Sequence, residues 1–183
     1  MSIFRTLRRF GGDQKGLAAL EFAIIAPMMI FALFGSVELL DLLGANKRAQ
    51  NVAASLADVV ARDTSVSNTE ITGLWSAADV LMFPDTAAGM QARVTSVSIV
   101  SASSAKVVWS VGHGGMTPLV NNAAVTLPSG MMIPGSSIIM TEVSYPYTPP
   151  LHFLIAGSMN LDFTAYRRSR LVDPIPCTWT GCP

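Results

Sequence analysis

Glu21 is a carboxylate inside an apolar run. It follows Leu17 by four residues in the stretch LAALEFAIIAPMMIFALFGSV that ends at Val37, and Lys15 and Gly16 stand immediately before that stretch. A carboxylate at the centre of a lipid-embedded helix costs about 2.5–3.5 kcal/mol on insertion scales, and less near the interface, where the side chain can reach water. Two chemistries fit the position. In the first, Glu21 simply reaches out to the interface. In the second, the chain is cut after Gly16, so that Leu17 becomes the first residue and Glu21 the fifth. Cleavage would create an α-amine that is cationic near neutral pH, and a carboxylate on a neighbouring chain could offset it. Such a pair is hard to break in low dielectric and would set register between subunits.

The element that carries these residues must be a helix crossing a membrane. Leu17 to Val37 is 21 residues, and at about 1.5 Å per residue it spans roughly 30 Å, the thickness of bilayer hydrocarbon. Before it, Arg5, Arg8, Arg9 and Lys15 face only Asp13. The first sixteen residues are therefore at +3, and because the whole chain sums to zero the remainder is at −3. Positive charge marks the cytoplasmic side, which puts the N-terminus in the cytoplasm and residues beyond about 44 outside. A cleaved secretory signal should have an apolar core of about 7–15 residues and a small-x-small site, and Leu43-Gly44-Ala45 matches this poorly. Binding to nucleic acid needs a clustered positive face on the folded part. Arg167, Arg168 and Arg170 are the one further cluster, and they read as a solvated strand end.

Beyond the span, helical spacing persists through Ala45, Ala49, Val52, Leu56 and Val59 or Val60, with Lys47, Arg48, Gln50, Asn51, Ser55, Asp58 and Arg62 on the other faces. The helix is expected to reach about Asp63, with a kink or loosening near residues 23 to 27, where Pro27 removes a backbone donor. Ser67-Asn68-Thr69-Glu70 reads as a capping box opening a second helix to about Met82, closed by Phe83-Pro84-Asp85. Four strands follow: Arg93 to Val100, then period-two runs through Val107, Trp109 and Val111, through Ile139 to Tyr147, and through Leu161, Phe163 and Ala165. The fold expected is α+β, with an antiparallel sheet whose apolar face covers the amphipathic half of the long helix. The expected organisation is a leader at 1–16, a transmembrane helix at 17–37, its outer continuation at 38–63, an α+β domain at 64–172 and a tail at 173–183. Residues 112 to 135, rich in Gly, Pro, Asn and Met, are too long for a turn and read as a surface excursion available to a partner.

Cys177 and Cys182 lie outside the membrane in this topology, where a disulfide is the default state. Its small loop would contribute about 2 kcal/mol and tie down the tail around Trp179. Free thiols or a metal site are the alternatives, although two cysteines and two distant histidines make a poor ligand set. Enzyme chemistry finds little footing. Gly112-His113-Gly114-Gly115 faintly resembles an esterase oxyanion loop, but no G-x-S-x-G elbow accompanies it, and P-loop, dinucleotide and H-E-x-x-H patterns are missing. His152, beside Pro149-Pro150 and Phe153, reads as a loop or short-helix residue.

Gly16, Leu17 to Leu20 and Glu21-Phe22 together are similar to the processing site of type IV prepilins. The longer pattern of Gly16, Glu21, Phe22, Ala23, Pro27 and Gly35-Ser36-Val37-Glu38 resembles the TadE/TadG-like family, pilin-like proteins of the bacterial tight adherence (Tad, or Flp) pilus machinery. Glu142 to Pro149 is similar to a tyrosine-rich strand of that family. Tyr166 with Arg168-Ser169-Arg170 is similar to its closing strand, with Ser169 where the family pattern leads one to expect proline. The resemblance implies a minor, pilin-like (pseudopilin) subunit with a pilin-like α+β fold, acting in pilus assembly, adhesion or secretion. It implies processing between Gly16 and Leu17 by a prepilin peptidase, pairing through Glu21 and Phe22, and loosening at Pro27, with Gly35 and Glu38 as motif residues. The implied partners are that peptidase, other pilin or pseudopilin subunits, the assembly platform and membrane lipid, with no nucleic acid, cofactor or enzymatic activity. The implied location is the inner membrane, with the folded part in the periplasm and, after processing, entry into a pilus. A shaft subunit is disfavoured, since the family's shaft pilins are much shorter and almost wholly helical. The alternative is a single-pass inner-membrane protein with an uncleaved anchor and a periplasmic binding domain.

Overall fold

The structure, a computed structural model, describes residues 16–179 and Cys182. The basic leader residues Arg5, Arg8, Arg9, Asp13 and Lys15 lie outside the described residues. Helix α1 runs from Leu17 to Ala61 and α2 from Asn68 to Met82. The sheet comprises β1 (Gln91–Ser101), β2 (Ser104–His113), β3 (Ala124–Val125), β4 (Ser137–Tyr147) and β5 (Met159–Arg168). Its order is β3-β2-β1-β4-β5, with every neighbouring pair antiparallel. The architecture is α+β, with five strands rather than four.

The chain forms two compact units. One contains the described residues up to Asp41 together with Pro149–Ala156, and the other contains Leu42–Thr148 and the residues from Gly157 on. In the second unit α1 buries a stripe of small and branched side chains, Ala45, Ala49, Val52, Ala53, Leu56 and Val60, while Lys47, Gln50, Asn51 and Arg62 stay exposed. Alanine every fourth residue keeps one helix face flat, which lets a sheet approach closely. The helix ends at Ala61, two residues before the expected Asp63, where the N–H groups of Arg62 and Asp63 donate to Val59 and Val60 and tighten the last turn.

Both faces of the sheet are covered. On one, Val94, Trp109, Ile139, Val143 and Tyr145 pack with the α1 stripe and with Ile71, Leu74, Ala78 and Met82 of α2. On the other, Val97, Ile99, Ala105, Ile138 and Met140 pack with Leu127, flanked by Leu119, Met131 and Met132. Much of the excursion between residues 112 and 135 thus folds back as a lid on the second face and supplies the fifth strand. The two faces also explain why Val107 and Trp109 part company. A bulge between Ser96 and Val97 pairs Trp109 with Ser96 and Val107 with Val97, skipping Val108. One extra residue reverses the alternation, so Trp109 joins the helix-side core, while Val107 is buried opposite Val97, a residue of the other cluster.

Trp109 also fastens the tail, its indole N–H donating to the Ile175 carbonyl at 2.8 Å. Val66 exchanges backbone hydrogen bonds with Pro176 and Thr178, and Cys177 and Cys182 are joined as a disulfide. Ser169 is buried: its N–H donates to the Ser137 carbonyl at 3.2 Å and its hydroxyl lies 2.7 Å from that of Ser137. A proline at 169 would have no N–H for the first of these bonds, which gives the serine a physical reason.

The capping box at the start of α2 is complete. The Glu70 N–H donates to Ser67 Oγ at 3.3 Å, and the Ser67 N–H donates to the Glu70 carboxylate at 2.6 Å. The backbone bond from Ser67, with that serine's side chain second, holds the Glu70 carboxyl below its ordinary pKa. A depressed folded pKa means that its stabilisation is complete above the unfolded value, about 4.3, and is lost as pH falls below it. Ser67→Ala should therefore cost about 1 kcal/mol at pH 7 and flatten only part of the loss of stability between about pH 5 and 3, since the Ser67 backbone N–H, the larger cause, remains. Denaturant unfolding of the detergent-solubilised chain, followed by tryptophan fluorescence at both pH values, measures this.

Candidate functional site

From Leu17 to Val37 every side chain of α1 is exposed except Ala26 and Gly35. Phe22 is 68% exposed and Met28 73%. This is the one helix among the described residues that is long and apolar enough to cross a membrane, and its most apolar stretch is wholly unburied. A core helix of a water-soluble protein would hide that surface. Pro27 sits inside the helix, which continues through it unbroken, so residues 23 to 27 stay helical. Glu21 is exposed on the same helix, among apolar neighbours and with no partner among the described residues. Leu17 and Glu21, four apart, share a helix face. Gly16 is exposed too, and nothing lies within 4 Å of where its Cβ would stand. Packing among the described residues therefore does not call for glycine there.

Glu38 has the opposite environment. Its side chain is fully buried, and its carboxylate accepts from three successive backbone N–H groups: Phe153 at 3.0 Å and Leu154 at 2.7 Å on Oε2, and Ile155 at 3.3 Å on Oε1. Successive N–H groups that converge in this way form an anion cradle. His152, which precedes them, has φ of 51°, a left-handed backbone that turns the loop toward the helix. One turn before Glu38, Gly35 makes room for Leu154, whose Cδ1 would lie 3.0 Å from a Cβ at 35. The Phe153 ring lies 5.2 Å from that of Phe31 and 5.9 Å from that of Phe34.

Gly35 and Glu38 are thus brought together with the 153–155 loop. Gly16, Leu17, Glu21 and Phe22 lie about 28 Å or less along the helix from Gly35 and share no contact with it. Sequence reasoning singled out Gly35 and Glu38 but missed their partner. The available signal was the apolar Leu151-His152-Phe153-Leu154-Ile155, which has neither strand alternation nor a helix start and so needs an outside acceptor for its N–H groups.

With that geometry the segment can be compared with known families. Residues 16–58 match the TadE-like protein family. The TadE-like segment starts at the exposed Gly16 and takes in Glu21, Pro27, Gly35 and Glu38. It ends at Asp58, inside the part of α1 that enters the core, so α2 and the sheet lie beyond it. No curated protein and no solved structure gives a significant match.

Elsewhere the remaining candidates have structural uses. His113 ends β2 and stacks on Trp75 at 4.8 Å. A Cβ at Gly114, where φ is +65°, would stand 2.1 Å from the Met90 carbonyl oxygen, so close packing and backbone conformation explain that glycine. Arg62 and Arg170 form ion pairs with Asp58, with Arg167 4.0 Å away. Among the described residues no group of three or more His, Cys, Asp or Glu side chains is placed to hold a metal ion.

Proposed function

We propose that this chain is a minor, pilin-like subunit of a bacterial Tad (Flp) pilus system, held in the inner membrane by Leu17–Val37 with its folded part in the periplasm. A prepilin peptidase cuts it after Gly16, and the subunit then joins other pilin-like subunits or their assembly platform through α1. The observation that carries this reading is that the TadE-like match begins at a glycine with no packing neighbour among the described residues, immediately before an exposed apolar helix. An exposed Glu21 one turn into that helix, with no partner among the described residues, supports the pairing role, because a new Leu17 α-amine on a neighbouring chain would supply a cation. Proline at 27 leaves the Ala23 carbonyl without its helical donor, a weak point suited to a helix that must leave lipid for a filament. Intact mass tests the reading. Chain from cells with the cognate prepilin peptidase should lack residues 1 to 16, and chain from cells without the peptidase should retain them. Retention in both would leave a single-pass anchor with a periplasmic binding domain.

A further inference from the structure

We propose that Pro149–Ala156 is a second membrane-contacting segment, a loop that enters the bilayer beside the last turns of the span, with Glu38 as the group that makes its entry possible. The proposal rests on the reading of Leu17–Val37 as a transmembrane helix. Three observations within one compact unit carry it.

The first is composition. The connection between β4 and β5 reads Pro149-Pro150-Leu151-His152-Phe153-Leu154-Ile155-Ala156 and contains no Asp, Glu, Lys or Arg. Yet Leu151, Phe153 and Leu154 are 44%, 42% and 48% exposed. Apolar side chains clustered this openly at the end of a hairpin connection, beside the exposed apolar surface of α1, fit a non-aqueous neighbour.

The second is depth. Phe153 touches Phe31 and Phe34, and Leu154 lies against Gly35. These are residues of the span itself, within about 11 Å of its outer end at 1.5 Å per residue. Whatever surrounds Leu33 and Phe34 therefore also surrounds the loop, and on the present reading that is lipid. Aromatic rings at this level fit the interfacial belt.

The third is hydrogen bonding. Irregular backbone is tolerated at membrane depth only where its polar groups are satisfied within the protein. A loop of this kind has N–H groups with no ladder or helix to receive them, and three of them are taken by the buried Glu38 carboxylate. The same arrangement accounts for a buried acid at the end of the span: the charge is solvated by backbone dipoles rather than by water. Lipid is favoured over a protein partner because the loop is continuous with the exposed apolar surface of α1 and offers no charged residue to specify one.

Power-saturation spin-label measurements on the full chain in phosphatidylethanolamine and phosphatidylglycerol vesicles test the proposal. Cys177 and Cys182 are joined as a disulfide, so an introduced thiol takes the label. Leu33→Cys serves as the lipid reference and Thr126→Cys as the water reference. Labels at Leu154→Cys and at Leu151→Cys, which leaves the Gly35 contact intact, should show an oxygen-to-nickel-complex accessibility ratio several-fold above that of Thr126→Cys and close to that of Leu33→Cys. Water-like ratios at both loop positions with a lipid-like Leu33→Cys overturn the loop proposal alone, whereas a water-like Leu33→Cys overturns the span and the loop together. Line broadening that disappears on dilution with unlabelled chain would place a second copy on the loop and overturn the lipid assignment. Glu38→Ala, with Glu38→Gln as the milder variant, should shift the Leu154 label toward water in that order of severity. An unmoved label in both variants removes Glu38 from the account.

Discussion

Replacing Gly16 with tryptophan should leave the leader attached to essentially every copy of the chain. In the intact-mass measurement the processed species should fall at least tenfold, with the longer species accumulating in the membrane fraction. The reason is local. Gly16 is exposed, and among the described residues nothing lies within 4 Å of a Cβ placed there. The fold therefore has room for an indole, and the variant should insert and fold as the parent does. On the proposed reading, what the indole disturbs is the approach of the peptidase active site to the Gly16–Leu17 peptide bond, where close backbone access is what glycine provides. Gly16→Ala, one methyl larger, should be processed more slowly but not blocked. The variant also has a second consequence. With the peptide bond intact, no α-amine forms at Leu17, and the cation proposed to meet Glu21 never appears. The tryptophan variant should be missing from sheared pili even though Glu21 is untouched. Normal trimming of that variant would falsify the assignment of Gly16 as the residue read by the peptidase.

Sequence reasoning reached the elements whose signals are local and periodic. The apolar run and the alanine stripe after it set the register of α1, because burial on one helix face repeats every three or four residues. Ser67 and Glu70 fixed the start of α2, because both partners of the capping box are three residues apart in the chain. The parts that escaped depend on contacts between distant residues. The bulge at Ser96/Val97 sets Trp109 opposite Ser96 and Val107 opposite Val97, and so on opposite faces, and no residue type there announces it. The 112–135 stretch looks like a surface excursion because its Gly, Pro and Asn content has no period. Its apolar residues, Leu119, Leu127, Met131 and Met132, have a use only when the second face of the sheet is open to receive them. Glu38 is the clearest case. An acid after a membrane span looks like an interfacial residue, and its burial depends on Phe153, Leu154 and Ile155, more than a hundred positions away. Glu21 and Glu38, two of the acids in the segment matched to the TadE-like family, thus divide. Glu38 is satisfied within its own chain, and Glu21 has no partner among the described residues.

That division makes Glu21→Ala the sharper experiment. The variant should insert into the membrane at least as well as the parent, since the substitution removes a charge from an apolar helix and with it part of the roughly 2.5–3.5 kcal/mol insertion penalty. Processing after Gly16 should continue, because the peptide bond and its surroundings are unchanged. Entry into pili should fail. If a Leu17 amine and a neighbouring Glu21 pair in low dielectric, removing one partner strands the other charge, at a cost of about 3–5 kcal/mol. With about 1.4 kcal/mol per decade, that is a loss of roughly two to three and a half orders of magnitude in association between subunits. Glu21→Gln keeps the size and one acceptor oxygen but not the charge, so it should resemble alanine. Glu21→Asp, which retains the charge one methylene shorter, should recover part of the assembly. The measurement is the fraction of processed subunit in the sheared pilus fraction relative to the membrane fraction, for all three variants together with intact mass. Assembly that survives both alanine and glutamine, with the leader fully removed, would reduce Glu21 to an acid reaching for the interface. The match between chains would then have to come from the apolar surface of α1 alone, which carries no charge to choose one register over another.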